Sequence, residues 1–224
     1  MNVSMWMTRD VVTVTLETPV VEAARLMARQ RVRRLLVTEK REEGIHLRGI
    51  ISAKDVIHAF PPHVNPFAIE GPDARVTPTI VSEIMRWDLH TTTPEAPVEE
   101  AAAMMLEKKV GALPVLRGKH LAGIITESDI FRAFVSLFTS DESGARITFD
   151  ATKGEDVFEL LSKLSKRDKV RVLSLVWTQQ GNQPVCVARV VGTGADKLLE
   201  HLWESGHLVL NVIRYPTETE KEAQ

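Results

Sequence analysis

Gly49-Ile50-Ile51-Ser52-Ala53-Lys54-Asp55-Val56-Ile57-His58-Ala59-Phe60 returns, little altered, as Gly123-Ile124-Ile125-Thr126-Glu127-Ser128-Asp129-Ile130-Phe131-Arg132-Ala133-Phe134. Each stretch has a glycine, two isoleucines, a hydroxyl residue and, three residues later, an aspartate. Apolar β-branched residues ahead of Ser or Thr predict a buried strand that ends where a helix is capped. Working outward, Val3, Ser4, Met7, Asp10, Thr13, Pro19, Ala23 and Met27 coincide with Val81, Ser82, Met85, Asp88, Thr91, Pro97, Ala101 and Met105. The offset is constant over these eight pairs, and a short insertion in the first copy separates them from the motif, so the chain contains an internal repeat.

Both copies read alike. A short apolar helix opens each one, and a Thr/Val-rich extended piece follows, at residues 11–15 and 90–93. Residues 19–30 and 97–108 predict helices, with Pro at the start and apolar residues at i, i+3, i+4. Two short strands come next: 35–37 with 49–52, and 113–116 with 123–126, each pair enclosing a glycine, Gly44 or Gly118. The final helices begin near Lys54 and Ser128. Two such units sharing a core are easier to stabilise than one alone.

The expected domains are residues 1–60 and 80–138, joined by a proline-rich connector at 61–79. TSDESG, residues 139–144, reads as a boundary. Residues 145–216 show no match to the repeat and read β-α-β-β-α-β, a ferredoxin-like order. Residues 217–224 read as a disordered polar tail.

Composition narrows the function. The 224 residues carry 28 basic and 30 acidic side chains, a net charge of −2, which argues against a general nucleic-acid binder. No apolar run approaches a membrane span, and the N-terminus does not read as a signal peptide. The expectation is a soluble, cytoplasmic protein. Cys186 is the one cysteine, placed in an apolar strand, and the seven histidines show no metal-ligand spacing. Gly192-Thr193-Gly194 lacks the third glycine of a dinucleotide loop and reads as a plain turn. Met104 and Met105 read as core, and the four tryptophans as core or interface anchors, with Trp87 placed to border a bound base.

The doubled G-h-h-[ST]-x-x-D pattern, with Met7-Thr8 and Leu113-Pro114-Val115, resembles the CBS domain, so residues 3–135 are similar to a tandem CBS pair. The last third resembles an ACT-type domain on its element order and Gly154, although Ala151-Thr152-Lys153 departs from that family's acid-x-Pro run. The order CBS–CBS–ACT is similar to AcuB-type regulatory proteins, linked by name to acetoin utilisation. The fold class implied is α+β: two CBS-type β-α-β-β-α repeats packed as a pair, plus a ferredoxin-like, ACT-like domain.

CBS pairs bind adenosine-containing ligands in clefts between the copies, each cleft borrowing from the other copy. The resemblance implies one cleft of Asp55, Ser52 and Lys54 with Ser82, Val110, Gly111 and Ala112. The other comprises Asp129, Thr126 and Ser128 with Ser4, Val32 and Arg33. A carboxylate suits ribose hydroxyls, and a helix start suits phosphate. In nucleotide-binding members a basic residue before the middle strand reaches phosphate. The Asp55 cleft, with Arg33 and Arg34, is therefore expected to be the tighter phosphate-bearing site. Asp55 and Asp129 also fit plain helix caps, and Arg31, Arg33 and Arg34 also fit a solvated cluster. The resulting expectation is a non-catalytic regulator that senses AMP, ADP or ATP, with S-adenosylmethionine a further candidate. No catalytic cofactor is expected; a homodimer and a regulated protein partner are. The alternatives are a dimerisation scaffold without ligand and a small-molecule hydrolase or transferase in the cleft.

Overall fold

The structure, a computed structural model, describes residues 1–42, 44–61, 64–67, 79–139, 142–152 and 156–215. Most of the connector, Gly154 and the 217–224 tail lie outside the described residues. Two compact units are present, Met1–Ala133 and Phe134–Gln224.

In the first unit, β1 (Thr13–Val14) runs parallel to β2 (Arg34–Arg41), which pairs antiparallel with β3 (Gly44–Ser52). Helix α1 (Val20–Gln30) connects β1 to β2, and α2 (Ala53–Ala59) follows β3. The second repeat has a four-residue helix α3 (Val81–Ile84), then α4 (Val98–Lys108), β4 (Ala112–Arg117), β5 (His120–Thr126) and α5 (Glu127–Phe138), whose residues from Phe134 on fall in the second unit. Its counterpart of β1 shrinks to one parallel bridge, Thr92 to Val115. Both hairpins shift register at the same place, between Val37 and Thr38 and between Val115 and Leu116. The strands β2 and β3 run further than the apolar residues alone predict. The polar stretch after Val37 still pairs across the turn at Gly44, whose φ of 125° suits glycine.

Helices α1 and α4 follow Pro19 and Pro97, and end on Arg31 and Lys109, both left-handed at φ 53°. Their apolar faces, Val20, Ala23, Ala24 and Met27 in one and Val98, Ala101 and Met105 in the other, are buried. Burying a side chain such as Met27 contributes roughly 1.5–3 kcal/mol.

The repeats exchange their opening segments. A 3₁₀ turn at Val3–Met5 packs into the second repeat, where Val3 and Met7 join Ala101, Met105, Leu113 and Ile125. Val3 N–H donates to Ala96, Ser4 N–H to Pro94, and Thr8 bridges Ile124. Reciprocally, Val81 and Met85 enter the first repeat's core beside Val20, Leu35 and Ile51. Val81 N–H donates to Thr18, Ser82 N–H to Leu16, and Arg86 bridges Ile50. The motif glycines permit this. A Cβ on Gly123 would lie 2.5 Å from the Thr8 carbonyl oxygen, and one on Gly49 would lie 2.6 Å from the Met85 sulfur. A third cluster, Leu36, Ala112 and Ile124 with Ile50 and Leu121, packs the two hairpins together.

The second unit consists of β6 (Gly144–Asp150), α6 (Val157–Asp168), β7 (Arg171–Gln180), β8 (Gln183–Val191), α7 (Ala195–Glu204) and β9 (Val209–Tyr215). The sheet order is β7-β8-β6-β9 with every pair antiparallel, the ferredoxin-like arrangement expected. Ile147, Phe149, Cys186, Ala188 and Val190 meet Leu161, Leu198 and Leu202 in the core. Sequence pattern gave no sign of Arg189, which is 1% exposed. Its guanidinium donates to the carbonyls of Glu142 and Val190 and lies 4.1 Å from the Tyr215 ring centroid.

Candidate functional site: two unequal clefts between the repeats

Each G-h-h-[ST]-x-x-D stretch builds a strand-to-helix corner. Ser52 caps α2: its Oγ accepts from Asp55 N–H, while Asp55 Oδ2 accepts from Ser52 N–H at 2.8 Å, a capping box. Asp129 Oδ2 likewise accepts from Thr126 N–H and Oγ1, both at 2.7 Å. Both aspartates are therefore caps. The second oxygens differ in setting. Asp129 Oδ1 is ion-paired with Arg132 and the residue is 4% exposed. Asp55 Oδ1 faces Arg86 Nε at 3.8 Å beside a cavity.

That cavity has a volume of about 620 Å³. It brings together Ser52, Lys54 and Asp55 of the first repeat with Val110, Gly111 and Ala112 of the second. It also takes in Arg34, Lys108, Lys109 and the run Arg86-Trp87-Asp88-Leu89-His90. Trp87 is 54% exposed. A second cavity, about 200 Å³, is lined by Thr126, Ser128 and Asp129 with Val32, Arg33, Arg34 and Thr8, Asp10, Val11, Val12. The smaller volume lies below, and the larger within, the range of roughly 300–1,000 Å³ usual for small-molecule sites.

The residues before the middle strand differ between the two cavities. Val32-Arg33-Arg34 line the small cavity and Val110-Gly111-Ala112 the large one, at matching positions. Arginine side chains border the first at positions where glycine and alanine border the second. Arg33 lines the Asp129 cavity, the cleft in which the resemblance also sets it, and not the Asp55 cavity, where it was expected to reach phosphate. Arg34 lines both. Its guanidinium lies against Gly111, at whose Cβ position it would stand 2.3 Å away, with the Glu127 carboxylate beside it. Burial pulls its pKa below the usual arginine value, and Glu127 opposes that pull.

Ser4 and Ser82 line neither cavity. Their N–H groups pin the exchanged segments to Pro94 and Leu16. The chain just beyond each opening segment takes the lining role instead, with Thr8, Asp10, Val11 and Val12 in the small cavity and residues 86–90 in the large one. The coincidence of Asp10 with Asp88 was the signal for it.

In the second unit, Gly194 packs so closely on Asp168 that a Cβ would lie 1.8 Å from its carbonyl oxygen. The 192–194 turn thus serves packing. Among the described residues no His, Cys, Asp and Glu group is arranged to hold a metal, and no helix is long and apolar enough to cross a membrane.

Two repeats that complete each other's cores around paired clefts define a tandem-repeat cleft protein. The chain belongs to the CBS-domain family, whose CBS domain matches residues 3–62 and 81–136. It is 31% identical over 139 residues to a CBS domain-containing protein of Dictyostelium discoideum, covering 60% of this chain and 92% of that one. It is 34% identical over 138 residues to inosine-5'-monophosphate dehydrogenase of Korarchaeum cryptofilum, covering 61% of this chain but only 25% of the dehydrogenase. Among solved structures it is similar to an acetoin utilization protein (AcuB) of Vibrio cholerae, with 27% identity, a TM-score of 0.49, and coverage of 61% and 92%.

Proposed function

We propose that the protein is a non-catalytic regulator that senses an adenine nucleotide in the Asp55 cleft. The carrying observation is the cavity of about 620 Å³ that joins Asp55, basic side chains and the exposed Trp87 ring. An acceptor for ribose, cations for phosphate and a ring for the base are the parts a nucleotide needs. Family membership supports the same class of ligand. Asp55 is held by its cap and faces Arg86, an arrangement suited to binding and not to proton abstraction.

The Asp129 cleft, at about 200 Å³, is the weaker or empty one. We read residues 144–215 as an ACT-like domain on the strength of their sheet order, and as the element that passes the ligand signal on, to itself or to a protein partner. A homodimer fits Ile57 and Phe131, exposed at matching positions of the two repeats. The test is calorimetric titration with AMP, ADP, ATP, S-adenosylmethionine and NADH, on the wild type, Asp55→Ala and Asp129→Ala. Micromolar binding lost mainly in Asp55→Ala supports this reading. Loss mainly in Asp129→Ala moves the site to the other cleft. Binding of none of the five returns the protein to a scaffold role.

A further inference from the structure

The side chains lining the large cavity carry an excess of positive charge. Arg34, Lys54, Arg86, Lys108 and Lys109 face it with two carboxylates, Asp55 and Asp88, and a third carboxylate, Glu127, stands beside the Arg34 guanidinium. Asp55 already accepts from Ser52 and faces Arg86. Lys108 also meets Glu107 at 2.7 Å, but both side chains are exposed, and such pairs hold little energy. The cations also sit on different elements. Arg34 enters from the first repeat, while Lys108 and Lys109 close the end of α4 in the second. Low-dielectric walls focus such a field and favour ligands of opposite sign.

We infer, building on the nucleotide reading above, that this cleft selects polyphosphate nucleotides: a nucleoside di- or triphosphate over a monophosphate, and over S-adenosylmethionine. Asp55 takes the ribose, and the phosphate chain runs between Arg34 and the Lys108–Lys109 pair. The cap at Ser52 is already satisfied by Asp55, so the phosphates are drawn to these side chains and not to the start of α2. A phosphate chain brings more charged oxygens to share between the two groups than a single phosphate does. S-adenosylmethionine brings a sulfonium, an ammonium and a single carboxylate, a net positive charge, into a field set by cations.

The experiment is calorimetry on the full chain with ATP, AMP, adenosine, S-adenosylmethionine and inorganic triphosphate. The variant is Lys108→Gln with Lys109→Asn, since asparagine tolerates the left-handed conformation of residue 109. ATP should bind about tenfold or more tighter than AMP, with adenosine and S-adenosylmethionine weaker still, in line with the strength of charge-assisted hydrogen bonds. The double variant should bring ATP down to the AMP level and leave adenosine unchanged. Higher salt should narrow the ATP preference. S-adenosylmethionine or adenosine binding as tightly as ATP overturns the inference, as does an ATP-to-AMP ratio unmoved by the double variant. Inorganic triphosphate binding alone keeps the polyanion preference and removes the nucleoside reading. Binding of none of the probes ends both.

Discussion

The Arg34 guanidinium occupies the space that a Gly111 side chain would need: a Cβ there would stand 2.3 Å from Arg34 Nη2 and 2.7 Å from Glu127 Oε2. Both obstructing atoms are ends of flexible side chains, so the chain can yield without moving backbone. Gly111→Ala is therefore expected to push Arg34 out of the cleft with a small stability cost, roughly within 0.5–1 kcal/mol. It should weaken phosphate-bearing ligands about as much as Arg34→Ala does. Calorimetry and urea melts of the two variants compare these directly, and unchanged affinity in both would remove Arg34 from the site.

Gly123→Ala meets a harder obstacle, the Thr8 carbonyl oxygen at 2.5 Å, which is backbone. The added methyl must part the bridge between Thr8 and Ile124. The expected loss is about 1–3 kcal/mol, as for overpacked sites, read from the urea midpoint. Gly118→Ala, whose Cβ position is open but whose φ is 62°, is the comparison for conformational strain alone. Equal stability of Gly123→Ala and wild type would contradict the close approach.

Asp55 and Asp129 should differ when removed. Asp129 is buried, accepts from Thr126 and pairs with Arg132. Asp129→Ala is expected to cost about 1–2 kcal/mol of stability, at the upper end for helix caps. Asp55→Ala should cost closer to 1 kcal/mol and act chiefly on ligand affinity. Thermal melts with and without ATP separate the two effects: ATP should raise the melting temperature of Asp129→Ala but not that of Asp55→Ala.

Cys186 is fully buried in the second unit, and burial pushes its thiol pKa up to about 11. The thiolate is the reactive form, so iodoacetamide should leave the folded protein unmodified at pH 8 and label it in denaturant. The pH dependence has a definite sign. Between the ordinary thiol range, about 8.5, and about 11, the unfolded chain gives up a proton that the folded one keeps. Stability should therefore fall as pH rises through that window. Rapid labelling at pH 8 without denaturant would place the thiol elsewhere.

Much of this was legible in the sequence. The constant offset exposed the repeats, and the alternation of strands and helices after residue 144 gave the β7-β8-β6-β9 sheet its element order. What escaped was non-local. The spacing of Val3 and Val81 does not say that each packs in the other repeat; the resemblance to CBS pairs, which assigns Ser4 and Ser82 to the opposite copy's cleft, is what pointed to it. Strands β2 and β3 exceed their apolar stretches because Thr38, Glu39 and Lys40 pair with Leu47, His46 and Ile45 beyond a register shift. Adjacent arginines looked equivalent at residues 33 and 34, yet only the second spans both cavities. Side-chain reach, which a linear pattern does not carry, decides that.

The exchange of opening segments has a consequence for what can be taken apart. Residues 1–60 would lack Val81 and Met85, and residues 80–138 would lack Val3 and Met7, so each half alone would present a raw apolar socket to water. The halves interlock like clasped hands, and the smallest self-sufficient piece is the pair. Expressed as separate peptides, they should find each other and fold only together.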